Sequence, residues 1–531
     1  MAYEHAHILP QLVAIRAHET GDNVALQHVD GSTLTWSQGY SGALLWADAL
    51  ERSGVVAGEP VVTLFANGFD AFRSWIGCGW LRAIEAPVNT AYKGAWLRHV
   101  VNNTGAHLVL ADARFVQPLL DIADELPDVK RVVVFGTTPE PLNVYPFEVI
   151  SAAEFLDGAQ SRERSEPGPW DISSLIYTSG TTGLSKAVMV PWGQFHASLE
   201  SGLFPVEEGF GATTYSFYPP FHVTGKSGFY NPAAYQGRSV LREVFSTKDF
   251  WTDVKTYGAT LSIILPPMAH FLMAEPERED DADNPMKTVV MAPVIPNIDA
   301  FKKRFGLEVY TTYNMSEINC PIVRPEESCN SNNYQSCGQV RDGVEVRIVD
   351  EHDQVVPPHT NGEMIVRGEP WELNVGYWNM PEKTAEAWRN GWFHTGDAFT
   401  YDEDGNYYFV DRVKDYIRRR GENISSFEVE SIVNEYPDVL ESGAVAVPAD
   451  ESEDEVKIAV VLKSGVDFDP ADLIRFLVPR MPRFAIPRYV EVWDELPTTE
   501  ATARIQKAKI RDAGVSDRTW DRVAAGVDIR G

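Results

Sequence analysis

Four cysteines in 531 residues, Cys78, Cys320, Cys329 and Cys337, are too few and too irregularly spaced for a disulfide framework. No Cys-x-x-Cys or His-Glu-x-x-His spacing is present, which removes the common zinc signatures. Positive charge is scarce too. Against 76 Asp and Glu stand 46 Lys and Arg, and the formal charge of −30 repels phosphate backbones and anionic lipid. No run approaches the roughly 18 apolar residues of a membrane span. The stretch Met1 to Gln11, with His5 and His7, lacks the apolar segment of a signal peptide. A nucleoside-triphosphatase loop is missing as well, because Gly225-Lys-Ser227 has Pro220 where that loop requires glycine. These absences describe a soluble cytoplasmic protein with neither a nucleic-acid nor a membrane partner.

What is present is enough for more than one folding unit. Up to about residue 410, short apolar runs (Val61 to Phe65, Leu108 to Ala111, Val132 to Phe135, Leu261 to Leu265, Val289 to Met291) alternate with longer helix-like stretches. Such alternation predicts parallel sheets covered by helices, an α/β class. Closely spaced strands from Gly338 to Gly368 predict a small antiparallel barrel or sandwich, with a turn at Asp350 to Gln354. Beyond Asp411 a helix (Ser426 to Glu435) and a strand (Ser442 to Val447) predict a separate α+β domain. The acidic stretches Glu275 to Asp283 and Asp450 to Glu455 read as solvated loops.

Three clusters carry chemistry. Thr178-Ser179-Gly180-Thr181-Thr182-Gly183-Leu-Ser-Lys186 follows an apolar strand. Its glycines allow close backbone approach, its hydroxyls add donors and Lys186 adds charge, the composition of a phosphate cradle. Tyr310-Thr-Thr-Tyr-Asn-Met-Ser-Glu317 offers an aromatic for a base and a carboxylate for Mg²⁺. Gly391-Trp-Phe-His-Thr-Gly-Asp397 ends in a carboxylate suited to ribose hydroxyls, with Asp411-Arg412 fourteen residues on.

In this order and at these intervals the clusters resemble the adenylate-forming superfamily of acyl-CoA ligases, firefly luciferase and nonribosomal adenylation domains, from about Val24 to Arg511. The resemblance implies a two-step reaction: ATP and a carboxylate give acyl-AMP and pyrophosphate, and a thiol, usually coenzyme A, takes the acyl group. It implies an N-terminal domain (1–410) of two α/β subdomains and a small barrel, a hinge (411–415) and a smaller mobile α+β domain (416–531). A homodimer is compatible with it. By position, the loop Thr178 to Lys186 would hold the β- and γ-phosphates, Tyr313 and the pair Ala292-Pro293 the adenine, and Ser316 the α-phosphate. Glu317 would hold Mg²⁺, Asp397 and Arg412 the ribose. His222 would lie near the reacting carboxylate, Lys414 on the hinge, and Gly421 where the pantetheine thiol enters.

Four departures stand out. Ser185 replaces the usual proline and Ser316 the usual threonine, both read as retaining function. Asn314 replaces the glycine that commonly floors the acyl pocket, which predicts small or compact acids. Arg504, in Ala503-Arg-Ile-Gln-Lys507, stands where the family's catalytic lysine is expected. The chain before it is one residue longer than usual, which leaves Lys507 as the alternative cation. The tail Ala513 to Asp521 resembles bacterial enzymes near carnitine- and crotonobetaine-CoA ligases. An acyl-CoA ligase is the leading expectation. Adenylation with a hydroxyl, amine or nitrite in place of the usual partners, and a nucleotide-binding pseudoenzyme altered at Arg504, stay open.

Overall fold

The computed structural model describes residues 7–137, 144–178, 185–199, 203, 209–324, 329–412, 416–419, 422–448, 454–497, 505 and 507–529. Two seven-stranded sheets form the base of the N-terminal region. One runs in the order Glu148–Ser151, Arg131–Phe135, Leu108–Asp112, Pro60–Leu64, Ile84–Pro87, Ile172–Thr178, Lys186–Pro191. Its pairs are parallel except the last, which is antiparallel. The other runs Glu308–Tyr310, Thr288–Val290, Leu261–Ile263, Thr213–Ser216, Arg238–Leu241, Val24–His28, Thr33–Thr35. Here too only the last pair is antiparallel.

Strands such as Pro60–Leu64 are buried along their whole length, as sheets covered on both faces require. The predicted apolar runs all become strands, with bounds shifted by a residue or two. Leu261 to Leu265 shortens most: the strand ends at Ile263 because Pro266 opens the helix Pro266–Ala274, with Leu265 at its N-cap.

The antiparallel region is larger than the predicted Gly338 to Gly368. It is an eight-stranded sheet drawing strands from Thr312–Met315 to Tyr407–Arg412. Its apolar core includes Ile322, Val366 and Phe399. The C-terminal unit has a four-stranded sheet (Val439–Pro448, Asp454–Leu462, Tyr489–Val492, Trp520–Asp521), a hairpin (Tyr416–Arg419, Glu422–Ser425) and helices Ser426–Val433, Pro470–Leu477 and Lys507–Asp512. Its core takes in Trp96 from the N-terminal helix Gly94–Thr104, whose ring centroid lies 6.5 Å from that of Phe484.

Glu275 to Asp283 is a loop and mostly exposed, as expected, whereas residues 450–453 of the second acidic stretch lie outside the described residues. Within the first, the half-buried Asp281 pairs with Arg304 at 2.7 Å, and at the end of the second Glu455, at the start of the strand Asp454–Leu462, pairs with Arg419 at 2.8 Å. Each acid gives a countercharge to a guanidinium that also donates to backbone carbonyls, which composition cannot reveal.

Candidate active site

One cavity of about 1430 Å³ opens where the two α/β sheets, the antiparallel sheet and the C-terminal unit meet. Thr178 and Lys186 reach it as an antiparallel pair closing a hairpin; residues 179–184, the centre of the phosphate-cradle motif, lie outside the described residues. Lys186 Nζ sits 4.2 Å from the ring centroid of Tyr377, a cation–π contact.

Two of the carboxylates that line the cavity are each held by a tyrosine hydroxyl. Tyr313 donates to Asp397 Oδ2 at 2.5 Å, and Tyr377 donates to Glu317 Oε1 at 3.0 Å. Both acids are buried. Asp397 sits in the strand Trp392–Tyr401, opposite the backbone of Arg412. Its turn is fixed by the Thr395 hydroxyl accepting from Asp397 N at 3.1 Å and by Glu363 accepting from Gly396 N at 3.0 Å. Asn374 secures the backbone of Glu317, its N and Nδ2 donating to the Glu317 carbonyl at 2.9 and 2.8 Å.

Ser316 lines the cavity, with its carbonyl taking the Gln194 side-chain amide at 2.8 Å. Asn314 donates to Cys320 Sγ at 3.3 Å across the cavity wall, and Ala292-Pro293, a cis peptide, lines the same space.

From the C-terminal unit, Glu422 comes within 3.6 Å of His222 Nε2. Glu428 accepts from both Ser185 N, at 2.9 Å, and Ser185 Oγ, at 2.5 Å. Burial pushes the Glu428 carboxyl up to about 7, against the lowering effect of the two serine bonds. Lys507 does not line the cavity. It donates to Ser426 Oγ at 2.6 Å and pairs with Glu430 at 2.7 Å inside its own domain. Arg504, Lys414 and Gly421 lie outside the described residues, as does the side chain of Arg412.

The AMP-binding enzyme family matches residues 13–378, and its C-terminal domain family matches 428–502. The chain belongs to the AMP-binding enzyme family. Crotonobetaine/carnitine–CoA ligase of Salmonella typhi is 27% identical over 453 residues, 84% of this chain and 86% of that protein. Among solved structures, an amide bond synthetase from Marinactinospora thermotolerans superposes with a TM-score of 0.81 at 24% identity, covering 96% of this chain and 99% of that one. A double mutant of o-succinylbenzoate CoA synthetase from Bacillus subtilis, bound with a product analogue, gives 0.80 at 22% identity, covering 94% and 98%. The same synthetase in complex with its acyl-adenylate intermediate gives 0.65, at the same identity and coverage.

Sequence reasoning overlooked several residues around the site of this AMP-binding enzyme. Tyr377 follows Gly376, whose φ of +117° and 2.6 Å clearance from Thr384 Cγ2 leave no room for a side chain. The run Asn374-Val-Gly-Tyr377 thus carried a signal: a glycine turn presenting an aromatic between two strands. Glu428 and its contact with Ser185 left no such mark. Ser185, read as a neutral replacement for proline, instead supplies two donors to another domain, and proline has neither.

Proposed function

We propose that this AMP-binding enzyme is an ATP-dependent acyl-CoA ligase for a small or compact carboxylic acid. The observation that carries the reading is the single cavity in which Lys186, Tyr313, Glu317 and Asp397 face Glu422 and Glu428 of the C-terminal unit. In the first step a carboxylate oxygen of the acid bonds to the α-phosphorus of ATP as the bond to pyrophosphate breaks. Lys186 and the loop beside it offset charge on the phosphates, with little covalent work asked of side chains. Tyr313 takes the adenine against the Ala292-Pro293 wall, Ser316 the α-phosphate, and Asp397 with Arg412 the ribose. In the second step the thiol sulfur of coenzyme A bonds to the acyl carbon, AMP leaves, and the thiol proton is lost.

The Glu317 carboxylate fits a magnesium ion. Among the described residues it receives one hydrogen bond, at Oε1, which leaves Oε2 for the cation. Mg²⁺ would neutralise phosphate charge there.

The better superposition on the product-analogue complex than on the acyl-adenylate complex of the Bacillus synthetase supports a domain placement suited to thioester formation. Residues 411–415 serve as the hinge, with Lys414 as pivot, and Gly421 lets the thiol approach. Arg504 is the adenylation cation. Lys507 is committed to Glu430 and Ser426 by contacts that lie within one domain and travel with it.

A second acceptor class, an amine, has the fold of the amide bond synthetase behind it. Pyrophosphate release on a panel of carboxylates, with coenzyme A, with hydroxylamine and with neither, tests the reading. Acid-dependent pyrophosphate release with thioester only when coenzyme A is added is the expected result. Release with hydroxamate but no thioester would move the assignment to amide formation, and no release on any acid would overturn it.

A further inference from the structure

We propose that Ser185 and Glu428 form an interdomain latch that positions the C-terminal domain for thioester formation; this rests on the two-step reading above. The two residues are 243 positions apart and belong to different folding units, yet both are buried. The serine gives its backbone N–H and its hydroxyl to the same carboxylate oxygen, Glu428 Oε1. His99 Nε2 holds the Ser185 carbonyl at 2.9 Å, so the donor pair is fixed from the N-terminal side. On the C-terminal side, Glu428 stands in the helix Ser426–Val433, one residue from the packed Val429. Trp96 of the N-terminal region packs in the same apolar cluster as Val429, the neighbour of Glu428.

Ser185 also immediately precedes Lys186, whose ammonium lies in the cavity. The latch thus ties domain placement to the segment that carries the phosphate-facing lysine. Undocking would return Glu428 to water and leave Ser185 to solvent, whereas the contacts of Asp397 and Glu317 with their tyrosines would stay intact. A contact of this kind acts on the step that needs the docked arrangement and spares the other.

Its electrostatics give it a pH dependence. Tyr92 and His99 face Ser185 from the N-terminal side, and Glu422 and Glu428 both act on the half-buried Tyr92 from the other. Docking raises the Glu428 carboxyl from its ordinary value of 4.5 to about 7. The docked state therefore holds the proton more tightly. Docking gains as pH falls from 8 toward 6 and changes little below the ordinary carboxylate range. Protonation at Oε2 leaves Oε1 free to accept both serine bonds.

The test reads domain placement directly, by energy transfer between fluorophores on Asp128→Cys and Ser464→Cys, both exposed positions. Between pH 8 and pH 6 the docking equilibrium of the otherwise unaltered enzyme should rise about tenfold. Glu428→Gln, which keeps the acceptor and loses the charge, should stay docked and show no pH response. Glu428→Ala at pH 6.5 should lower docking about tenfold, and adding Ser185→Ala to it should cost nothing further, since both remove one contact. With acyl-AMP supplied, Glu428→Ala should slow thioester formation about tenfold while acid-dependent pyrophosphate exchange stays within about twofold. Unchanged energy transfer in Glu428→Ala, or equal loss in both half-reactions, would overturn the latch. Energy transfer needs neither acid nor coenzyme A, so failure of the ligase reading leaves this outcome separately legible.

Discussion

The carboxylates of the N-terminal pocket and those brought by the C-terminal domain are held in opposite ways. Glu317 and Asp397 are each fixed by a tyrosine of the N-terminal region, and their backbones are secured by Asn374 and Thr395. Glu422 and Glu428 reach across the boundary, to His222 and to Ser185. Contacts that close within one domain survive a rotation; contacts that span two are made and broken by it. A nucleotide site has to be ready before substrates arrive, whereas an acceptor site has to exist only once acyl-AMP has formed. The arrangement fits the proposed two-step reaction.

The largest effect should come at Arg504, proposed above as the adenylation cation. Arg504→Ala should slow acyl-AMP formation by about two to three powers of ten, the usual cost of a lost preorganised charge donor. Thioester formation from supplied acyl-AMP should survive, measured by single-turnover kinetics. Arg504→Lys should retain or raise activity. If Lys507→Ala abolishes adenylation while Arg504→Ala leaves it intact, the division drawn here fails at this residue, because Lys507 would have to leave Glu430 to serve.

On the N-terminal side, Glu317→Gln should lower magnesium-dependent pyrophosphate exchange at least about tenfold. Glutamine keeps the bond from Tyr377 and loses the charge, so the change reads metal affinity and not folding. Unaltered exchange would overturn the metal role proposed for Glu317.

How much of this was readable beforehand follows the same division. The strands Pro60–Leu64, Leu108–Asp112 and Arg131–Phe135 were legible because continuous apolar runs bounded by turns leave few alternatives. Tyr313, Glu317 and Asp397 were legible as members of local clusters, and the fold brings them to one cavity. Asn374 was missed because its task is to hold another residue, and Tyr377 was missed although the glycine turn before it was readable. The extent of the antiparallel sheet was underestimated because strands such as Thr312–Met315 and Trp392–Tyr401 join it from far away in the chain. The Ser185–Glu428 contact depends on how two domains meet, and no window of sequence contains it.

Asn314, in the proposed acyl end of the cavity, offers a smaller effect. Asn314 faces the cavity with its amide donated to Cys320 Sγ, occupying space that glycine would leave open. Asn314→Gly should extend the usable chain length, with kcat/KM gaining about fourfold for each newly buried methylene, equivalent to ~0.8 kcal/mol. Equal efficiency on a sixteen-carbon and a four-carbon acid before substitution would rule this role out.

The smallest effect expected is at Tyr377, and it separates two functions of one side chain. The ring lies under the Lys186 ammonium and the hydroxyl orients Glu317. Tyr377→Phe keeps the ring and removes only the hydroxyl. The magnesium concentration for half-maximal pyrophosphate exchange should then rise about two- to fivefold, the equivalent of ~0.5–1 kcal/mol for one hydrogen bond, with the rate at saturating magnesium preserved. Tyr377→Ala removes the cation–π contact as well, and should lower the saturated rate because Lys186 loses the surface that holds it. If Phe and Ala behave alike, the ring contributes nothing and Lys186 is positioned by the hairpin alone. If Phe lowers the saturated rate, the hydroxyl acts on the reacting phosphates and not through the carboxylate.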